Sequence, residues 1–385
     1  IREHSSDDVR VLALQAKKYP DIDMPTAITQ IAGRKVAAEK IPSWWEIEKI
    51  WYPKHLSLEQ CSSEITARYK ARLLQGDSLT DLTGGFGIDC SFLATGFKSA
   101  TYVERQEELC EIAAHNFPVL NLNHINIKNE DGVTYLQAMS PVDCLFLDPA
   151  RRNEHGGKTV AISDCEPNVA ELEELLLQKA NRVMIKLSPM LDLSLALKEL
   201  KQTQEVHILS VNNECKELLI LLGQTSPAEI SIHCVNLFTK GTQKEQHFVF
   251  TREQEQCSEC TYTDSLETYL YEPNASLLKA GAFRSIAAAY PVRKLHPNSH
   301  LYTSDTFIEN FPGRIFRIVN QCSFNKKEVK ENLADLKKAN VTVRNFPATV
   351  AELRKRIHLA EGGDTYLFAS TLNNGQKVLI RCEKV

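Results

Sequence analysis

The sequence predicts an α/β protein built on a doubly wound, mostly parallel sheet of seven strands whose last strand is antiparallel. Three observations predict it. From about residue 77, the short apolar runs "SLTDLT", "ATYVE", "INIKNED", "DCLFLD", "RVMIKLS", "EVHILSV" and "ELLILL" alternate with helix-like stretches such as "RQEELCEIAAHNF", the pattern of strands joined by crossover helices. The last two runs are separated only by "NNECK", too short for a crossover helix, so that pair must be antiparallel. A glycine cluster follows the first run and acidic residues end the next ones, where sheets of this kind bind ligands.

With 385 residues the chain is long enough for two or three domains. Residues 1–75 read as an N-terminal helical domain: "DVRVLALQAKKY" and "DMPTAITQIAGRKVAAEK" space their apolar residues at three and four, and Ser57-Leu-Glu-Gln60 looks like a capping box opening a helix through "CSSEITARYKARLL". Residues 76–250 hold the sheet, extended by a hairpin of "ISIHCVNLF" and "EQHFVFTRE". Residues 251–313 read as a linker and a helical or loop connection. Residues 314–385 read strand, helix, strand, helix, strand, strand, a small α+β domain of βαβαββ order, with Asn-Gly in "LNNGQK" marking its final hairpin.

No run of about 18 apolar residues is present, so no membrane-spanning helix is expected. The N-terminus lacks a signal pattern. Eleven cysteines in mostly apolar surroundings suggest reduced thiols and a cytoplasmic protein. Cys257-Ser-Glu-Cys260 lacks the second ligand pair that a zinc site requires, and no metal is expected. The net charge of −4 is uneven: residues 314–385 carry 14 Lys+Arg against 7 Asp+Glu, or +7, leaving about −11 elsewhere. A basic module on an acidic body suits a polyanion such as RNA.

In "DSLTDLTGGFGID", strand residue Asp81 leads into Thr83-Gly84-Gly85-Phe86-Gly87. Glycines let the backbone turn tightly and approach a ligand. Alone the loop could hold a dinucleotide or merely turn the chain. Glu104 stands 20 residues beyond Gly84, placed to accept ribose hydroxyls, and Asp131-Gly132 ends the third strand, where an acid can meet an adenine amino group. Acids at successive strand ends point to a nucleoside pocket.

The order of acid, "LTGGFG" and closing antiparallel hairpin resembles class I S-adenosylmethionine-dependent methyltransferases over about residues 77–223, which implies a Rossmann-like sheet with S-adenosyl-L-methionine as cofactor. The resemblance implies that Asp81 to Gly87 face the methionine and sugar, Glu104 the ribose and Asp131 the adenine. "LEQCSSEITARYKA" is similar to a helix that covers the cofactor in several RNA methyltransferases, with Glu59, Gln60 and Ser63 at the matching positions. "YEPNASLLKAGAF", "LHPNSHLYTSD" and "VRNFPATVAELRKRIHL" resemble the THUMP-like domain that follows the methyltransferase domain in a bacterial family; THUMP domains bind RNA.

At the fourth strand end, Asp148-Pro149-Ala150-Arg151-Arg152 resembles the (D/N)-P-P-(Y/F) of enzymes that methylate nucleic-acid amines, in which the acid and a proline carbonyl accept the amine hydrogens. The second proline and the aromatic residue are missing. It is also similar to the D-P-P-R-x-G of uridine C5 methyltransferases, but Leu187 stands where their cysteine nucleophile belongs, and the neighbouring Ser188 is a poor substitute. Arg151 and Arg152 are candidates to grip substrate phosphates, Lys186 is a further cation near the same mouth, and His155 is a candidate base. The expectation is a methyltransferase acting on tRNA or rRNA at a nitrogen. The alternatives are an RNA-binding protein whose methyltransferase fold is inactive, and a methyltransferase of a protein or small molecule.

Overall fold

The structure is a computed structural model and describes residues 7–151, 161–225 and 227–385. Its contacts divide the chain into two compact units, Ile1–Val206 with Glu217–Ala228, and His207–Lys216 with Glu229–Val385. Among the described residues no helix is long and apolar enough to cross a membrane.

The first unit opens with the expected helices. Val9–Leu14 is capped by the Asp8 carboxylate, and Met24–Lys40 starts from Asp23 with Pro25 in its first turn, where proline's missing N–H costs nothing. The helix expected from Ser57 onward is instead two helices, His55–Gln60 and Glu64–Ala71, with extended backbone at Cys61 and Ser63. Ser57 caps neither. The break has a physical cause: it turns the Ser62 hydroxyl inward onto the buried Asp89 carboxylate, 2.6 Å away.

Seven strands follow: β1 Ser78–Asp81, β2 Ser99–Glu104, β3 Ile125–Asn129, β4 Val142–Leu147, β5 Ala180–Leu187, β6 Thr203–Val211 and β7 Glu214–Gly223. Their order is β3-β2-β1-β4-β5-β7-β6. The first five are parallel, with Asp81 opposite both Tyr102 and Phe146 and with Leu147 opposite Ile185. β7 runs antiparallel to β5, pairing Leu187 with Leu218. β6 and β7 are joined by Asn212 and Asn213, both at positive φ (49° and 68°), the backbone of a tight hairpin turn that asparagine tolerates. Parallel strands buried on both faces explain the continuous apolar runs: Leu145, Val183, Met184 and Ile185 are fully buried. Because β1 to β5 share one direction, their C-terminal residues share one edge of the sheet.

In the second unit β8 Ser231–Leu237 and β9 Glu245–Thr251 form the expected antiparallel hairpin. The segment 251–313, expected as linker and connection, does more. After the short helix Arg252–Cys257 it supplies β10 Tyr269–Pro273, β11 Arg293–Lys294 and β12 Tyr302–Ser304 to a seven-stranded sheet shared with the C-terminal segment. The other strands are β13 Gly313–Ser323, β14 Asn340–Val343, β15 Thr365–Thr371 and β16 Lys377–Lys384, and the order is β11-β12-β10-β13-β16-β15-β14. "YLYEP" reads as helix because apolar residues recur at helical spacing into "NASLLKA". In the fold Leu270 and Tyr271 are both fully buried, and the helix begins only after Asn274 caps Ala275–Ala280. The βαβαββ order of the C-terminal segment is as expected, and Gly375, at φ 85°, turns its last hairpin. Its helices Lys326–Leu333 and Val350–Ile357 pack through Leu333 and Leu353 on one cluster with Leu367, Ala369 and Leu379 of the sheet.

Candidate active site

The glycine loop leaves β1 at Asp81, which is 1% exposed. Asp81 Oδ1 accepts the Thr83 N–H at 3.0 Å, and Thr83 Oγ1 accepts the Asp148 N–H at 2.6 Å. The loop after β1 is thereby tied to the end of β4. A Cβ on Gly84 would stand 2.2 Å from the Tyr102 ring, so only glycine lets the loop lie against β2. Gly85 and Gly87 take positive φ, 55° and 86°, which glycine adopts without steric cost. Phe86 is buried against Trp44, ring centroids 5.2 Å apart, and near Tyr52, so the N-terminal helices pin the loop.

Glu104 at the end of β2 accepts the Gly85 N–H at 2.9 Å through Oε2 and the Gln106 N–H at 2.8 Å through Oε1. Each oxygen keeps a second lone pair for a ligand. Asp131 caps helix Gly132–Ala138 through Oδ1, accepting Val133 N–H and Thr134 N–H at 3.0 Å each. A Cβ on Gly132 would meet the Leu82 carbonyl oxygen at 2.2 Å, which fixes this helix start against the glycine loop.

At the end of β4, Pro149 is buried and Asp148 keeps 37% of its side-chain surface open. Ala150–Arg151 pairs as a short ribbon with Cys165–Glu166. The side chain of Arg151, and Arg152 and His155 altogether, lie outside the described residues. Lys186, at the end of β5, donates to Asp148 Oδ2 and lies 3.5 Å from Asp89 Oδ2. Asp89 Oδ1 is 2.9 Å from Lys70 Nζ, which in turn lies 2.7 Å from Glu217 Oε2 on β7. Lys70 is fully buried, and Glu217, Asp89 and Lys186 are 5%, 8% and 8% exposed.

The electrostatics follow from burial and partners. Burial, reinforced by Asp89, Asp148 and Glu104, pushes the Asp81 carboxyl well above the usual carboxylate range, and no cation pairs with it among the described residues. Burial would raise Asp89 too, but Lys70 and Lys186 bring it below its ordinary value. Burial pulls Lys186 down, but Asp148, Asp89 and Glu217 outweigh it and hold the ammonium above its ordinary value. Burial also raises Asp148 against the pull of Lys186, an effect its open surface tempers.

The structure thus gathers Asp81, Thr83, Gly84, Gly85, Gly87, Glu104, Asp148 and Lys186 along one sheet edge, with Asp131 and Gly132 beside Leu82. Gln60 and Glu59 are exposed at the end of their short helix, and Ser63 reaches Thr66 at 3.3 Å; none of these contacts joins the glycine loop. Sequence reasoning missed Ser62, Lys70, Asp89 and Glu217. The one local signal was Asp89, in the first turn after the glycine loop. Cys257 is exposed and Cys260 half-buried, both free thiols.

Family models match two stretches, a ferredoxin-like domain at residues 269–312 and a THUMP domain-like module at residues 313–384. Across the whole molecule the chain matches the crystal structure of a methyltransferase candidate from Porphyromonas gingivalis W83, with a TM-score of 0.86 and 35% identity over 99% of both chains. The chain belongs to that protein's family. Its fold is accordingly that of a class I methyltransferase sheet followed by a THUMP-like domain. Two further crystal structures are distant: a candidate type I restriction-enzyme modification subunit from Vibrio vulnificus YJ016 (TM-score 0.36, 11% identity, 52% of this chain and 56% of that one) and a Streptococcus mutans methyltransferase candidate in complex with SAH (TM-score 0.31, 13% identity, 42% and 96%). At those values they carry no argument for this family. No curated protein matches the sequence.

Proposed function

We propose that the protein is an S-adenosylmethionine-dependent methyltransferase acting on RNA in the cytoplasm. The observation that carries the reading is the buried Asp81, which has no cation paired with it among the described residues, at the mouth of a glycine loop. A carboxylate pushed up by burial and by neighbouring acids is relieved by a cationic ligand, and S-adenosylmethionine brings both an ammonium and a sulfonium. The fit extends along the loop: a Cβ at Gly85 would meet only the Thr83 carbonyl, at 3.8 Å, so the backbone there borders open space. In this reading Asp81, Thr83, Gly84, Gly85 and Gly87 hold the methionine and sugar. Glu104 uses its spare lone pairs on the ribose, Asp131 and Gly132 meet the adenine, and Gln60 lies over the cofactor. When bound, the cofactor supplies an activated methyl group on sulfur. Asp148 and Pro149 present the acceptor, and Arg151, Arg152 and Lys186 engage the substrate.

RNA is favoured by the THUMP domain-like module and by its charge. Lys326, Lys327, Lys330, Lys337, Lys338, Lys355 and Arg356 are all exposed on its two helices and the connections that follow them, the footprint expected for phosphate contact. The test is incubation of the protein with methyl-labelled cofactor and total RNA from a strain lacking the gene. Label in RNA is expected, together with cofactor binding that Asp81→Ala abolishes. RNA that stays unlabelled while protein or small molecules take label would overturn the substrate class. Failure to bind the cofactor at all would leave an inactive RNA-binding module.

A further inference from the structure

Asp148, Lys186, Asp89, Lys70 and Glu217 form one chain of alternating charge, with only Asp148 open to the surface. Ser62 Oγ completes it, donating to Asp89 Oδ2 at 2.6 Å and accepting from Lys70 Nζ at 2.9 Å. The chain draws on the N-terminal helix Glu64–Ala71, the helix after the glycine loop, the ends of β4 and β5, and β7. As a device for stability it is poor: desolvating so many charges is costly, and apolar residues of similar volume hold such contacts at least as well. Buried ionisable clusters of this kind concentrate at reaction centres.

We infer that Asp148 and Lys186 serve a hydroxyl acceptor, with Lys70, Asp89 and Glu217 as positioning residues; on an RNA substrate this hydroxyl is a ribose 2′-OH. The inference rests on the RNA methyltransferase reading above and names its acceptor atom. Charge decides between acceptors. A neutral nitrogen that attacks carbon develops positive charge, which a fixed ammonium beside it opposes. An oxygen losing its proton develops negative charge, which the same ammonium stabilises. An amine acceptor, expected from Asp148-Pro149 alone, would set that developing positive charge against the ammonium that already donates to Asp148 Oδ2. No aromatic residue follows Pro149 to stack on a base, and an acceptor on the sugar needs none.

The chemistry balances with the donor named. A bound sulfonium supplies the methyl group, its carbon–sulfur electron pair returning to sulfur as the oxygen–carbon bond forms. The hydroxyl proton passes to the Asp148 carboxylate, which releases it to solvent through its open side. Lys186 stays protonated and hydrogen-bonds the reacting oxygen. Asp89, 3.5 Å from the ammonium, is its second carboxylate neighbour, and Lys70 with Glu217 anchors Asp89.

The test uses the full chain, methyl-labelled cofactor and total RNA from the deletion strain, followed by alkaline hydrolysis. A methylated 2′-oxygen blocks cleavage at its own phosphodiester, so label is expected in alkali-resistant dinucleotides. Label in mononucleotides bearing a methylated base would overturn the inference and leave the RNA methyltransferase reading standing. Absence of cofactor binding would defeat both. A second readout needs no turnover: with demethylated cofactor bound, an oligonucleotide spanning the labelled site should lose about tenfold in affinity when its 2′-OH is replaced by hydrogen, as for a hydrogen bond to a charged group. Lys186→Met should abolish that difference; equal losses in both proteins would count against the assignment. For the positioning role, Glu217→Gln removes a charge that helps keep Lys186 protonated. The alkaline limb of kcat should move to lower pH with cofactor affinity unchanged, and Ser62→Ala gives a milder variant should Glu217→Gln fold poorly. A lowered Tm with an unmoved pH profile in both would mean a merely structural role.

Discussion

Asp81 carries a cost that the free protein bears and a cationic ligand relieves. Its pKa is raised on folding, so its favourable contribution to stability exists below the unfolded carboxylate pKa and is lost as pH rises through the folded value. Asp81→Asn should therefore raise the Tm of the cofactor-free protein at pH 8 by a few degrees, since a tenfold change in how tightly a carboxylate holds its proton is worth about 1.4 kcal/mol, while abolishing cofactor binding. Calorimetry with and without cofactor checks both halves. In the wild type, cofactor affinity should fall as pH drops through that same raised value, because binding a cation favours the ionised acid. Gly132 makes a steric demand instead: Gly132→Ala drives a methyl into the Leu82 carbonyl and should cost about 1–3 kcal/mol in a denaturation measurement. The placement of Gly84, Gly85, Gly87, Glu104 and Asp131 at strand ends was legible because turn glycines and acids after strands have local meaning. Lys70, Asp89 and Glu217 were not. In "ITARYKARLL" a lysine reads as the wet side of a helix, and in "ECKELLILL" a glutamate reads as a strand terminus; only tertiary packing brings the two together.

The helix Glu64–Ala71 is tied down by charge as well as by apolar contact, Lys70 pairing with Asp89 and Glu217 while Ala67 packs in a core cluster. Breaking a buried pair from one side typically costs about 3–5 kcal/mol, because the remaining charge stays buried. Lys70→Met should show a loss of that order, and the double change Lys70→Met with Glu217→Leu should recover much of it. Denaturant titrations of the two singles and the double give the coupling. The hairpin β6–β7 was legible from loop length alone, since the five residues "NNECK" leave no room for a crossover. The split of the helix at Cys61–Ser63 was not, because nothing in "EQCSSEI" says that one serine must face a buried aspartate. The strand Tyr269–Pro273 was hidden for a related reason, its apolar spacing merging with that of the helix behind it.

At the scale of the whole molecule the charge asymmetry is the feature with the widest reach. The C-terminal segment is at +7 and the remainder at about −11, so RNA should associate through the former, with affinity falling steeply as salt rises. The triple variant Lys326→Glu, Lys327→Glu, Lys330→Glu should weaken RNA binding and flatten its salt dependence in filter-binding titrations, with cofactor affinity unchanged. Fold class was legible at this scale because strand–helix alternation is a long-range pattern that survives local misreading.

Lys70 and Glu217 are 147 residues apart in the chain, which bears on the order in which the protein can assemble. At roughly 5–20 residues per second of synthesis, the lysine is made about 7–30 seconds before Glu217, the second of its two carboxylate partners. During that interval it must remain hydrated, and the early helices have no finished place to dock. Nascent chains halted before Glu217 should leave Lys70 open to amine acylation, and completed chains should shield it. The first helices to be made are thus among the last to settle.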